Sequence, residues 1–280
     1  MTRRLLAAAC LMAAASGAMA AASSSVHING VTITLTDLDP NDGIAASATM
    51  MHGSQPYLNI GAASFDPAYS NDAYAAVGTH GGSGLAGSVG TTFAHSSATI
   101  AGQSSIVGFS GIALDGGALS TAAGYGEYGA TAAPYTSMNV QVAANTRVTV
   151  TFDASIDVAT TVGLDTAGNA ERAMGRILMA FDGLDADGAN VVDEQWQELL
   201  AGYRLDDAGN VLGDSYHWAG QLSVSFSNRS ASGTVASLYS EGVIGGNSVV
   251  SAVPEPATYG MLLGGLALLG AAARRRQAAV

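Results

Sequence analysis

Arg147-Val148-Thr149-Val150-Thr151-Phe152-Asp153-Ala154-Ser155-Ile156-Asp157-Val158 is the stretch on which the fold class turns. Val148, Val150, Phe152, Ala154, Ile156 and Val158 take every second place, with Thr, Ser and Asp between them. A period of two sustained this far describes a β-strand with one buried and one wet face, since successive side chains point to opposite faces of a sheet. A helix would need its apolar residues three and four apart. Strands wetted on one face belong to antiparallel sheets.

Outward from this stretch the same period recurs. Leu222, Val224 and Phe226 alternate with Ser223, Ser225 and Ser227, and Met138, Val140 and Val142 repeat it more weakly. Val31, Ile33 and Leu35 alternate with three threonines; Val26 and Ile28 precede them, and Asn29-Gly30 between the two groups is predicted to be a hairpin-type turn. Ala170–Phe181 and Val191–Tyr203 fit two patterns. Ala173, Ile177, Leu178 and Phe181 make a helix face; Gly175, Ile177, Met179 and Phe181 make a strand face. The Asp182–Gly188 turn between the two segments favours a long β-hairpin. Residues 78–133 are dense in Gly, Ala, Ser and Thr around Ile106, Val107, Phe109, Ile112 and Leu114, and read as small-residue strands and loops. With 36 glycines in 280 residues, the expectation is a mainly β chain. One antiparallel β-sandwich or jelly-roll-like domain would span residues 21–252.

Charge restricts the partners. All ten basic residues are Arg, which excludes a phosphate-loop lysine and a Schiff-base lysine. Five arginines are terminal, so residues 21–253 hold five Arg against 21 acidic residues, a net of −16. Such a body repels phosphate backbones, and no nucleic-acid partner is expected.

The two ends carry addresses. Arg3 and Arg4, an apolar run from Leu5 to Ala15, and Ala18-Met19-Ala20 follow the order of a secretory signal peptide, residues 1–20, cut by signal peptidase after Ala20. Cys10 lies inside it, and Ala7 stands where a lipoprotein signal needs a larger apolar residue, so the mature chain has no cysteine and no disulfide. At the other end, Val253-Pro254-Glu255-Pro256-Ala257 leads into an almost wholly apolar run to Ala273, then Arg274-Arg275-Arg276. As a helix, residues 257–273 would reach roughly 26 Å, enough to cross a hydrocarbon core once. Both arginine clusters then stay on the cytoplasmic side, with the body outside.

Pro-Glu-Pro, one short Leu/Gly/Ala helix and a terminal Arg cluster together closely resemble the PEP-CTERM sorting tail, here residues 253–280. The resemblance implies export by a Gram-negative bacterium that makes extracellular polysaccharide. It also implies recognition and removal of the tail by exosortase, a membrane transpeptidase-like enzyme. Pro254, Glu255 and Pro256 match the named tripeptide, and Tyr259 stands where an aromatic is usual. The stretch Ile33–Ala45 also resembles one found near the mature start of some such proteins. The tail is an address and does not specify what its cargo does.

No catalytic constellation stands out in the body. Gly124-Tyr125-Gly126-Glu127-Tyr128-Gly129 spells GxGxxG without the strand–helix context a dinucleotide site needs. His80-Gly81-Gly82-Ser83-Gly84 resembles an oxyanion-hole loop but has no G-x-S-x-G elbow to serve. His27, His52, His80, His95 and His217 show no zinc-ligand spacing. Asp185, Asp187, Gly188 and Glu194 fall at positions three, five, six and twelve of a calcium loop, but Gly183 stands at position one where Asp is required. A solvated turn explains the same residues, so neither a metal nor another cofactor is expected. Three functions follow. The first is a noncatalytic cell-surface or extracellular-matrix protein, linked to exopolysaccharide or biofilm and held only transiently by the inner membrane. The second is a polysaccharide-binding module stacking sugars on Trp196, Trp218, Tyr125 or Tyr128. The third, a glycan hydrolase using two carboxylates, has no motif behind it.

Overall fold

The computed structural model describes residues 20–51, 56–65, 70–78, 84–102, 109–121, 124–165 and 168–249. Residues 1–19 of the expected signal peptide, the whole of the 253–280 tail, His52, His80, Ile106 and Val107 lie outside the described residues. Among those described there are fifteen strands and no helix, hence no helix able to cross a membrane. The first eight are β1 (Ala20–Asp37), β2 (Ala48–Met50), β3 (Tyr57–Phe65), β4 (Ser70–Gly78), β5 (Leu85–Gly90), β6 (Ala94–Ala101), β7 (Gly111–Ser120) and β8 (Tyr125–Val142). The rest are β9 (Thr146–Thr160), β10 (Arg172–Leu184), β11 (Asn190–Ala201), β12 (Tyr203–Leu205), β13 (Val211–Gly213), β14 (Ser215–Asn228) and β15 (Thr234–Asn247).

The strands form two antiparallel sheets and a small hairpin. One sheet has six strands in the order β14-β9-β1-β7-β6-β5; the other runs β11-β10-β15-β8-β3-β4, with β2 joined to β8, and β12 pairs β13. The opening stretch is the body of β9, whose six alternating apolar residues are all buried. β9 sits between β1 and β14, so the most strongly alternating strand is a central one. One apolar cluster joins the inner faces of both sheets: Ile156 and Phe226 from the first, Ile177, Phe181 and Leu238 from the second. Phe181 meets Phe226 across the gap with ring centroids 6.4 Å apart. Gly116 of β7 lies under the ring of Tyr128, and a Cβ there would come within 2.4 Å of Tyr128 Cδ2, so only glycine lets the sheets close over that ring.

The β10–β11 hairpin takes the strand reading. Gly175, Ile177, Met179 and Phe181 are buried, and the register runs from Ala173 opposite Ala201 to Leu184 opposite Asn190. The turn between them places Gly188 at φ 78°, where an L side chain would be strained.

Asn29-Gly30 corrects the sequence reading. It is a β-bulge inside β1: Ile28 faces Ala154, Gly30 faces Asp153, and Asn29 is the extra residue. Both halves of β1 pair with β9, whereas a hairpin would have paired them with each other. The apolar set passes from even positions (Val26, Ile28) to odd ones (Val31, Ile33, Leu35), and a one-residue bulge is what keeps both sets on one face. The Asp37–Ile44 segment that follows is a loop of aspartate-capped turns, anchored by Asn145 Nδ2 donating to Asp42 Oδ2 at 2.6 Å.

Ser120 joins two distant parts of the chain. Ala20 pairs with it in the sheet, and its hydroxyl donates to the carbonyl of Val249. Ser248 N donates to Gly126 O, and Gly126 N donates to Ser248 Oγ, both at 3.0 Å.

Candidate functional site

The antiparallel register brings together, on the outer face of the six-stranded sheet, residues far apart in sequence. His217 of β14 stands opposite Asp157 of β9, Asp157 opposite Ser25 of β1, and Ser25 opposite Asp115 of β7. One step along lie Ser215, Ala159, Ser23, Gly117 and His95. These rows line a groove of about 490 Å³, within the usual range for small-ligand sites. Its floor is low because most of the central side chains are Ser, Ala or Gly. Its walls carry His217 with Asp157, Nδ1 to Oδ1 at 2.6 Å, and His95 with Asp115, whose Oδ1 also lies 3.6 Å from Nε2 of His27 just outside the groove. Both aspartates are more than half exposed. The sequence offered three of these histidines without a spacing that joined them, because the joining is done by strand pairing.

A second polar group sits on the outer face of the other sheet. Arg176 Nη2 lies 3.5 Å from Glu241 Oε1, and the Tyr239 hydroxyl donates to Glu241 Oε2. Burial, then the bond to Glu241, raises the Tyr239 phenol well above its ordinary value; burial and the Glu241 charge raise Tyr57. Trp196 stands beside Leu178 in the same row as Glu241 and is 59% exposed.

The aromatic candidates divide. Trp196 is open to solvent; Trp218 is packed against the core; Tyr125 is half-buried and stacked on Phe65 at 4.9 Å. Tyr128 is corrected: it is 6% exposed, with its hydroxyl 2.6 Å from Ser24 Oγ, so no sugar can stack on it.

The calcium candidates are not brought together. Asp185 Oδ1 accepts the backbone N–H groups of Asp187 and Ala189, both at 2.9 Å, and so holds the hairpin turn closed. Asp206 closes its own turn in the same way, accepting from Ala208 and Asn210. Glu194 pairs with Ala180, five residues up the strand from Asp185, which separates them by roughly 16 Å. Among the described residues no group of three His, Cys, Asp or Glu could hold a metal ion. Glu171, fully buried, accepts backbone N–H groups from Thr161, Val162 and Gly163 on Oε2 and holds that bend in place.

One further feature lies in the segment that follows the described body. The family model of the PEP-CTERM protein-sorting motif matches residues 252–276. The chain carries a PEP-CTERM sorting motif. Pro254, Glu255, Pro256 and Arg274, Arg275, Arg276 all fall within the matched span, one residue wider at its start than the sequence reading gave. The PEP-CTERM motif marks an exported protein, sorted by exosortase through a membrane-anchoring C-terminal signal. No curated protein matches the chain.

Proposed function

We propose that this PEP-CTERM protein is a noncatalytic component of the cell surface or extracellular matrix, linked to exopolysaccharide or biofilm. Signal peptidase frees the start of the body, exosortase removes the tail, and the sandwich acts as a stable extracellular unit without a cofactor. The observation that carries this reading is the sorting motif at residues 252–276, behind a body in which Ser120 holds the Val249 carbonyl. Replacing Pro254, Glu255 and Pro256 by Ala and fractionating the cells tests it. Parent protein is expected at the surface, shortened by the tail in its intact mass, and the variant in the inner membrane. Equal surface release of the two would overturn the sorting step.

A second reading, a glycan-binding module, is favoured by the groove on the six-stranded sheet, with Asp115, Asp157 and a serine floor offering partners to sugar hydroxyls.

A further inference from the structure

The groove has a charge and a chemistry that narrow its ligand. Asp157 and Asp115 flank Ser25 on neighbouring strands, so their backbones stand roughly 9.6 Å apart with only a serine between. Each carboxylate receives its histidine on Oδ1, and Oδ2 of each takes no bond among the described residues. None of the five arginines between residues 21 and 253 lines the groove, and those residues carry a net charge of −16. Counted with His95 and His217 neutral, the lining carries two negative charges and no positive one, which disfavours uronates, sulfates and phosphates and favours an ammonium group. Ser23, Ser25 and Ser215 each add one O–H donor and two acceptor sites along the floor. Hydroxyls satisfy such a floor; a methylene chain would leave it unpaired.

An ammonium group and hydroxyls on one compact ring describe an amino sugar. We propose that the groove binds hexosamine residues bearing a free amino group, the ammonium held between Asp115 and Asp157 and the ring hydroxyls on the serine floor. This deepens the glycan-binding reading and names its ligand class. Acetylation removes the charge, and a polyamine keeps the charge but lacks the hydroxyls, so both are weaker ligands.

The test titrates mature protein recovered from the cell surface with a glucosamine tetramer, its fully N-acetylated counterpart and spermidine, followed by calorimetry. The glucosamine tetramer is expected to bind at least about tenfold more tightly than either other probe. The double variant Asp115→Asn, Asp157→Asn should lose at least about tenfold in affinity. The charge-matched control Glu198→Gln, Asp207→Asn, at exposed positions away from the groove, should match the parent. Ser23→Ala with Ser25→Ala should erase the preference over spermidine. Equal losses in the two charge variants would mean attraction to the acidic body as a whole, and would overturn the proposal. So would spermidine binding as tightly as the tetramer, a preference for the acetylated probe, or no saturable binding. Melting temperatures confirm that the variants fold, and their presence in the surface fraction reads sorting separately from binding.

Discussion

Tyr128 sits at a point where sequence and packing part company. In Gly124–Gly129 it reads as an aromatic on which a sugar could stack, yet it stands on β8 with its ring over Gly116 and its hydroxyl on Ser24. Nothing local announces this, because the glycine that admits the ring belongs to another strand. Tyr128→Phe should lower stability by about 1 kcal/mol at neutral pH, the usual worth of a net hydrogen bond. The loss is limited because Ser24 Oγ keeps a 3.3 Å bond to the Gly245 carbonyl. The same substitution should flatten the alkaline limb. Burial raises the Tyr128 phenol above its ordinary 10.0, with the Ser24 bond opposing weakly. Below pH 10.0 the phenol is protonated in both folded and unfolded chains. Above it the unfolded chain ionises first and binds fewer protons, so stability falls as pH rises. Thermal melts of parent and variant from neutral to strongly alkaline pH check both parts. A parallel decline in the two would mean that the phenol is not the group responsible.

At the scale of strands, β11 and β14 are each one end of a sheet, the other ends being β4 and β5. β11 shows Val192, Trp196 and Leu200 to solvent but intersperses Asp193, Glu194 and Glu198, a charge pattern that opposes pairing with a second copy. Asp193 also reaches across to β14, where its Oδ2 accepts from Ser225 N at 2.7 Å and Ser225 Oγ at 3.2 Å, covering a ladder donor at the sheet edge. Asp193→Val should therefore leave the fold intact but uncover that donor beside a more apolar strand. Sedimentation should show concentration-dependent association in the variant and none in the parent. Strand identity was legible wherever one face is apolar for its whole length: β9, the second half of β14, and β10 once its turn was recognised. Asn29-Gly30 reads as a turn in the sequence because Asn-Gly suits a tight turn as well as a bulge. What separates the two is whether the apolar residues change parity across it, as Ile28 and Val31 do. The groove was not legible. Its row joins residues 25, 115, 157 and 217, and only the register of four strands makes them neighbours.

For the molecule as a whole, the question is how much chain a sorting enzyme can take without harming the cargo. Ser248 is fully buried, Val249 is 5% exposed, and their bonds to Gly126 and Ser120 tie this segment to β7 and β8. Four residues, 250–253, separate that clamp from Pro254. A cut at or after the tripeptide should thus cost the sandwich nothing, whereas a cut a few residues earlier removes part of its core. The chain 21–253 should melt at the same temperature as 21–249. The chain 21–246 loses a buried valine and the paired bonds of Ser248, together on the order of 3 kcal/mol. For a domain of this size that is roughly 10 °C in melting temperature. Differential scanning calorimetry of the three chains decides the matter. If 21–246 melts with the others, the clamp contributes nothing and the spacing of the motif from the fold is incidental. If 21–253 exceeds 21–249 by several degrees, residues beyond Val249 belong to the fold, and a cut at the tripeptide reaches closer to it than the clamp suggests.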